Sequence, residues 1–93
     1  MLPADLRAAL AEYRQGLDLE LGLLYLDARR FQDARAALDR VPPTHPDYAM
    51  ALFKRAQVSA LLNEPDRAAR IEQAKRRATA ETRELIARER LFK

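Results

Sequence analysis

Leu17-Asp18-Leu19-Glu20-Leu21-Gly22-Leu23-Leu24-Tyr25-Leu26-Asp27-Ala28 is the stretch that decides the fold of this chain. It reads as a helix, and it is apolar on more than one face. One stripe is Leu17, Leu21, Leu24 and Ala28, at spacings of 4, 3 and 4. A second is Leu19, Leu23, Leu26 and Arg30, at the same spacings. A helix covering one side of a small core needs one such stripe. Two stripes ask for two partners. The first, continued backwards through Leu6, Leu10 and Tyr13, is expected to face the interior. The second is expected to meet something else.

Outward from this helix, the chain has 93 residues, which is one domain's worth, with no cysteine and a formal net charge of +3. Disulfides cannot supplement its core, and a cytoplasmic, reducing setting is the expectation. Ala, Leu, Arg and Glu dominate, whereas Val41, Val58, Ile71 and Ile86 are scattered singly. That composition is all-α. Charges interrupt residues 1–16, and no run is apolar enough for a signal peptide or a membrane span. Residues 1–63 are charge-balanced, so the whole basic excess falls in residues 64–93.

Punctuation divides the chain into four helices. The first is expected over 4–28, with Pro3 and Asp5 in its opening turn and Gly16 tolerated inside it. Arg29-Arg30-Phe31 turns into a second helix over 32–41, with Ala34, Ala37, Leu38 and Val41 facing inward. Pro42-Pro43 ends it, because neither residue donates a backbone hydrogen bond. Thr44-His45-Pro46-Asp47 reads as a start signal for a third helix over 46–62. Asn63-Glu64-Pro65-Asp66 separates that from a long fourth helix over 65–92. This last segment holds neither Gly nor Pro after Pro65, and it carries four acid-before-base pairs at a spacing of four, beginning with Asp66–Arg70. A helix of that length is about 42 Å long and overhangs its neighbours. Its one plausible break is at Thr79–Thr82.

The order Leu21-Gly22, Tyr25, Ala34, Leu38, Val41 and Pro46 resembles the pattern of the tetratricopeptide repeat (TPR), whose period is about 34 residues. Residues 15–48 are similar to one whole repeat. Residues 49–75 resemble a second, degenerate one, with Leu52, Ala56, Ser59 and Ala68 in register. Small residues at Gly22 and Ala34 let two antiparallel helices approach, while Tyr25 and Leu38 fill the space beside the crossing. Asp18 stands where the family usually has tryptophan, so that face is expected to lack a preceding repeat. The resemblance implies antiparallel helical hairpins in a right-handed superhelical array of about four helices, ending in the long C-terminal helix. It also implies protein binding through a concave groove. Transferred by position, the groove is lined by Leu19, Leu23, Leu26 and Asp27, then by Met50, Phe53, Gln57, Ala60 and Leu61. Those residues suit an apolar helix, or a second copy of the chain, better than a terminal carboxylate. Leu85, Ile86, Leu91 and Phe92 are a second candidate contact set, able to cover the groove from within or to meet a partner. Arginine–acid pairs at the rim are expected to set the register.

Chemistry has little to work with. His45 is the only histidine and sits between prolines in a turn. There is no Cys/His cluster, no nucleophile–base pair and no glycine-rich phosphate loop, so neither catalysis, nor a metal, nor a cofactor, nor a small-molecule substrate is expected. Lys75-Arg76-Arg77 opens an alternative, contact with nucleic acid or another anionic surface through the arginine-rich C-terminal helix. Six acids interleave with nine bases there, and the only aromatic residue is Phe92, which weighs against nucleic acid.

Overall fold

The structure, a computed structural model, describes residues 4–93, with side chains at Leu6, Ala8, Tyr13 and from Gly16 onward. The first-turn roles read for Pro3 and Asp5, and the place of Leu10 in the stripe, lie outside the described residues. The fold is all-α and built of helical hairpins. Helix α1 spans Ala4–Asp27, α2 Phe31–Asp39, α3 Tyr48–Leu61, α4 Arg67–Arg76 and α5 Ala80–Arg88, followed by a 3-10 turn at Arg90–Phe92. No helix among the described residues is long and apolar enough to cross a membrane.

The first hairpin is set by one close approach. A Cβ placed on Gly22 would lie 2.7 Å from Leu38 Cδ2, so glycine here lets Leu38 pack directly onto the backbone of α1. Asp18, Gly22 and Tyr25 make the α2-facing side of α1. Asp18 is buried, and Arg40 Nε donates to its carboxylate at 3.1 Å. The tryptophan-like position is therefore not left open; a guanidinium from the end of α2 covers it. Helix α1 ends in a Schellman turn. Arg29 takes a left-handed φ of 60°, the Arg30 N–H reaches the Tyr25 carbonyl, and the Arg29 N–H reaches that of Leu26. Asn63 (φ 52°) closes α3 in the same way. Asparagine suits that conformation, but arginine does not.

Helix α3 is central. Ala51 and Val58 join Leu19, Ala34, Leu38 and Val41 in one core. Leu52, Phe53 and Ala56 join Ala74 and Ile86 in another. Its N-terminus starts later than the proline signal predicts. Pro46 lies in the preceding turn, Asp47 rather than Thr44 is the flanking residue, and the helix begins at Tyr48. Here the His45 ring Nδ1 accepts from the Asp47 N–H at 2.9 Å and holds the turn. Buried Arg55 links the hairpins. Its Nε donates to Asp39 at 2.7 Å and its Nη1 to Glu64 at 2.8 Å, while Arg35 donates to the other Glu64 oxygen at 2.8 Å. Asp66 accepts from Arg70 and from the Ser59 hydroxyl.

The expected continuous helix over 65–92 is not formed. Helix α4 stops at Arg76, and α5 restarts under a capping box in which Thr79 and Thr82 exchange side-chain and backbone hydrogen bonds. The reason is burial. A straight helix would carry Thr82, Ile86 and Phe92 past the core into water, whereas the bend returns them to α3. Glu89, with extended backbone, then ends α5. One Glu89 carboxylate oxygen accepts from the Leu91 N–H and the other from Gln57 on α3. Phe92 stands edge-on to Phe53, with ring centroids 5.7 Å apart at 81°.

Candidate functional site

The two leucine stripes of α1 exchange the places expected of them. Leu21 and Leu24, read as interior, are 37% and 63% exposed, and Tyr13 on the same stripe is 66% exposed. Leu19, read as groove surface, is buried in the α1–α2–α3 core, with Leu23 and Leu26 packed at its edge. Both stripes flank the α2-facing side of α1. The flank holding Leu19, Leu23 and Leu26 leans on α3, and the other carries the exposed Leu21 and Leu24.

The remaining candidates divide in a similar way. Phe53 and Ile86 are buried in the second core, and Leu85 and Phe92 pack against it half-buried. Phe53 and Ile86 therefore hold the protomer together rather than face outward. The C-terminal segment lies over this part of α3. Met50 and Ala60 are half-buried, while Leu61 is 43% exposed.

Two openings lie among the described residues. The larger is a cleft of about 540 Å³ between α1, the turn into α3, and the start of α5. Leu19 and Leu23 form one wall, Pro46, Ala49 and Met50 another, and Thr79–Thr82 the third. Asp47 and Glu81 are its charged residues. The smaller, about 320 Å³, is at the C-terminal end of α1, bounded by Leu26, Asp27, Arg29, Phe31 and Leu61. Leu19, Leu23 and Met50 are thus brought together, and Leu26 meets Leu61, but the two clefts are separate. Pro46 and the Thr79–Thr82 wall were missed in the sequence because they come from connections rather than from helix faces. The possible interruption read at Thr79–Thr82 was their one signal.

Arg55 was missed as well. Its neighbours in α3 are almost all apolar, and its partners lie 16 and 9 residues away. Burial pushes the Glu64 carboxyl up, but the hydrogen bonds and charges of Arg55 and Arg35 outweigh it and hold the group below its ordinary value of 4.5. Hydrogen bonding from Arg70 holds Asp66 below its ordinary value too. Glu64 is committed to Arg55 and Arg35, which lie outside residues 64–93, so the exposed Lys75, Arg76 and Arg77 lie on a more basic surface than the formal count for that segment implies.

Comparison with protein-family models, with curated proteins and with solved structures gives no match, so the likeness to tetratricopeptide repeats rests on the residues named above.

Proposed function

We propose that this chain is a non-enzymatic interaction module of the tetratricopeptide kind, with α1–α2 and α3–α4 as successive hairpins of a short right-handed array and α5 opening a third turn. It binds a protein segment with apolar anchors, and it works in a reducing compartment such as the cytoplasm. The observation that carries this reading is the 540 Å³ cleft walled by Leu19, Leu23, Ala49 and Met50. It has the concave, mostly apolar form with a few polar groups at its edge that suits a side chain from a helix or extended peptide. Asp47 and Glu81 at the rim favour a segment carrying a base beside its anchor, and they disfavour a terminal carboxylate.

The test uses methyl-labelled methionine. The chain has two methionines, Met1 and Met50, so the Met50 signal is assigned by substitution. A panel of amphipathic peptides with leucine anchors at positions i, i+3 or i+4, and i+7 is titrated in. Saturable binding that moves the Met50 methyl, and that Met50→Asp abolishes, supports the cleft. Binding that leaves this methyl unmoved, or no binding across the panel, overturns the reading.

A second reading follows from the committed Glu64. With Glu64 engaged by Arg55 and Arg35, the exposed bases of α4 and α5 make an anionic surface or nucleic acid the alternative partner. A steep fall in affinity for a DNA or RNA oligonucleotide with rising salt would favour it.

A further inference from the structure

The outer face of α1 carries four of the large apolar side chains that remain exposed in this protein, Leu6, Tyr13, Leu21 and Leu24, with half-buried Leu17 between them. We propose that this face is a homodimer surface, on which α1 of a second copy lies antiparallel about a two-fold axis at Leu17.

Three observations select a second copy as the occupant. The spacing is symmetric. Counted outward from Leu17, the stripe steps 4, 3 and 4 residues in both directions, to Tyr13, position 10 and Leu6 on one side and to Leu21, Leu24 and Ala28 on the other. An antiparallel pairing centred at Leu17 therefore sets Leu17 against Leu17 and brings Tyr13 level with Leu21. These described apolar residues meet apolar ones, which is the self-complementarity a two-fold interface requires. Two consecutive eleven-residue steps also match a nearly straight helix, so the faces stay in contact without a left-handed supercoil.

The flank of the stripe is also matched. Tyr13 and Glu20 are seven residues apart and share one flank, and both are exposed. Same flanks face each other in a two-fold antiparallel pair. The Tyr13 hydroxyl of one copy thereby reaches the Glu20 carboxylate of the other, giving the apolar seam a polar register.

Access is provided by the difference in helix lengths. Helix α1 has 24 residues, about 36 Å, and α2 has 9, about 14 Å, so the N-terminal half of α1 projects beyond its hairpin partner. A second helix can lie along it without meeting α2. The apolar footprint is only about 30 Å by 10 Å, below that of a standard interface, so the dimer is weak and concentration-dependent, dissociating in the micromolar range.

This surface lies apart from the Met50 cleft, and the tests keep the two separate. Sedimentation equilibrium of the full chain, from about 1 to 300 μM, should show the mass moving from one chain toward two across the range set by that footprint. Leu24→Asp, at an exposed site where the fold is not at risk, should weaken association at least tenfold while circular dichroism stays unchanged. Met50→Asp should leave association intact. The chain has no cysteine, so orientation is read with single-cysteine variants. Leu17→Cys should form a disulfide-linked dimer on oxidation, and Leu24→Cys should not. A single-chain mass at every concentration, undiminished association of Leu24→Asp, or equal crosslinking through both cysteines would overturn the proposal.

Discussion

Replacing Glu64 by glutamine should cost far more stability than its place in a loop suggests. The side chain is 14% exposed, and one oxygen serves Arg55 while the other serves Arg35, each at 2.8 Å. The amide keeps the volume but turns one end into a donor facing a guanidinium. It also leaves Arg55, whose side chain is 5% exposed, with Asp39 as its only acidic partner. Breaking a buried ion pair from one side costs about 3–5 kcal/mol; with Asp39 retained we expect about 2–4 kcal/mol. Arg55→Met leaves Glu64 paired to Arg35 and should cost about 2–3 kcal/mol. The double variant removes both halves of the pair and should cost about 3 kcal/mol, leaving a coupling of about 2.5 kcal/mol. A domain of this length has an unfolding entropy of about 0.2 kcal/mol per kelvin, so a 3 kcal/mol loss lowers Tm by about 15 °C. Urea melts followed by circular dichroism at neutral pH measure all three. Single variants within 0.5 kcal/mol of wild type, or strictly additive effects, would refute the network as a coupled unit.

Four shorter expectations accompany it. Because the Glu64 carboxyl is held below its ordinary value of 4.5, its contribution is fully present above that pH and is lost as pH falls through the folded value. The urea midpoint should therefore drop more steeply below pH 4.5 in the wild type than in Glu64→Gln. The two glycines should respond with opposite sign. Gly16→Ala meets nothing within 4 Å and should stabilise by about 0.5–1 kcal/mol, whereas Gly22→Ala forces Leu38 aside and should destabilise by about 1–2 kcal/mol, both read by thermal melts. Arg29→Gly relieves a left-handed arginine and should raise stability by about 1 kcal/mol without moving the peptide-titration results. Thr79→Ala removes half of the capping box and should cost about 1 kcal/mol, with hydrogen exchange accelerating in α5 before α3.

The hairpins were legible because prolines marked their ends. Pro42-Pro43 and Asn63-Glu64-Pro65 fall between helices in the structure. The 77–79 bend was not legible in the same way, since no Gly or Pro marks it and the i, i+4 ion pairs favour a straight helix. What bends the chain is long-range, the pull of Ile86 and Phe92 toward α3. The candidate surfaces were half legible. Periodicity found two stripes on α1, but identical 4-3-4 spacing cannot say which one meets α3. The neighbours of Gly22 hold the answer. Leu19, Leu23 and Leu26 share its α3 side, while Leu17, Leu21 and Leu24 are rotated toward the far side. Asp18 misled for a related reason. An acid at a core position looks like a vacancy until its cation, Arg40, is found 22 residues away.

The position of α3 between the two cores has a consequence for how this protein can be divided. Each core takes part of its apolar wall from the same fourteen-residue helix. A fragment ending near Leu62 keeps α3 but uncovers Leu52, Phe53 and Ala56, and one beginning near Pro43 uncovers Ala51 and Val58. Neither piece has a closed interior, so unfolding should be a single transition despite the hairpin layout. Interruption of the chain is tolerable only where α3 is untouched, at the joints beside Arg30 and Ala78, which makes those the places to cut, permute or insert.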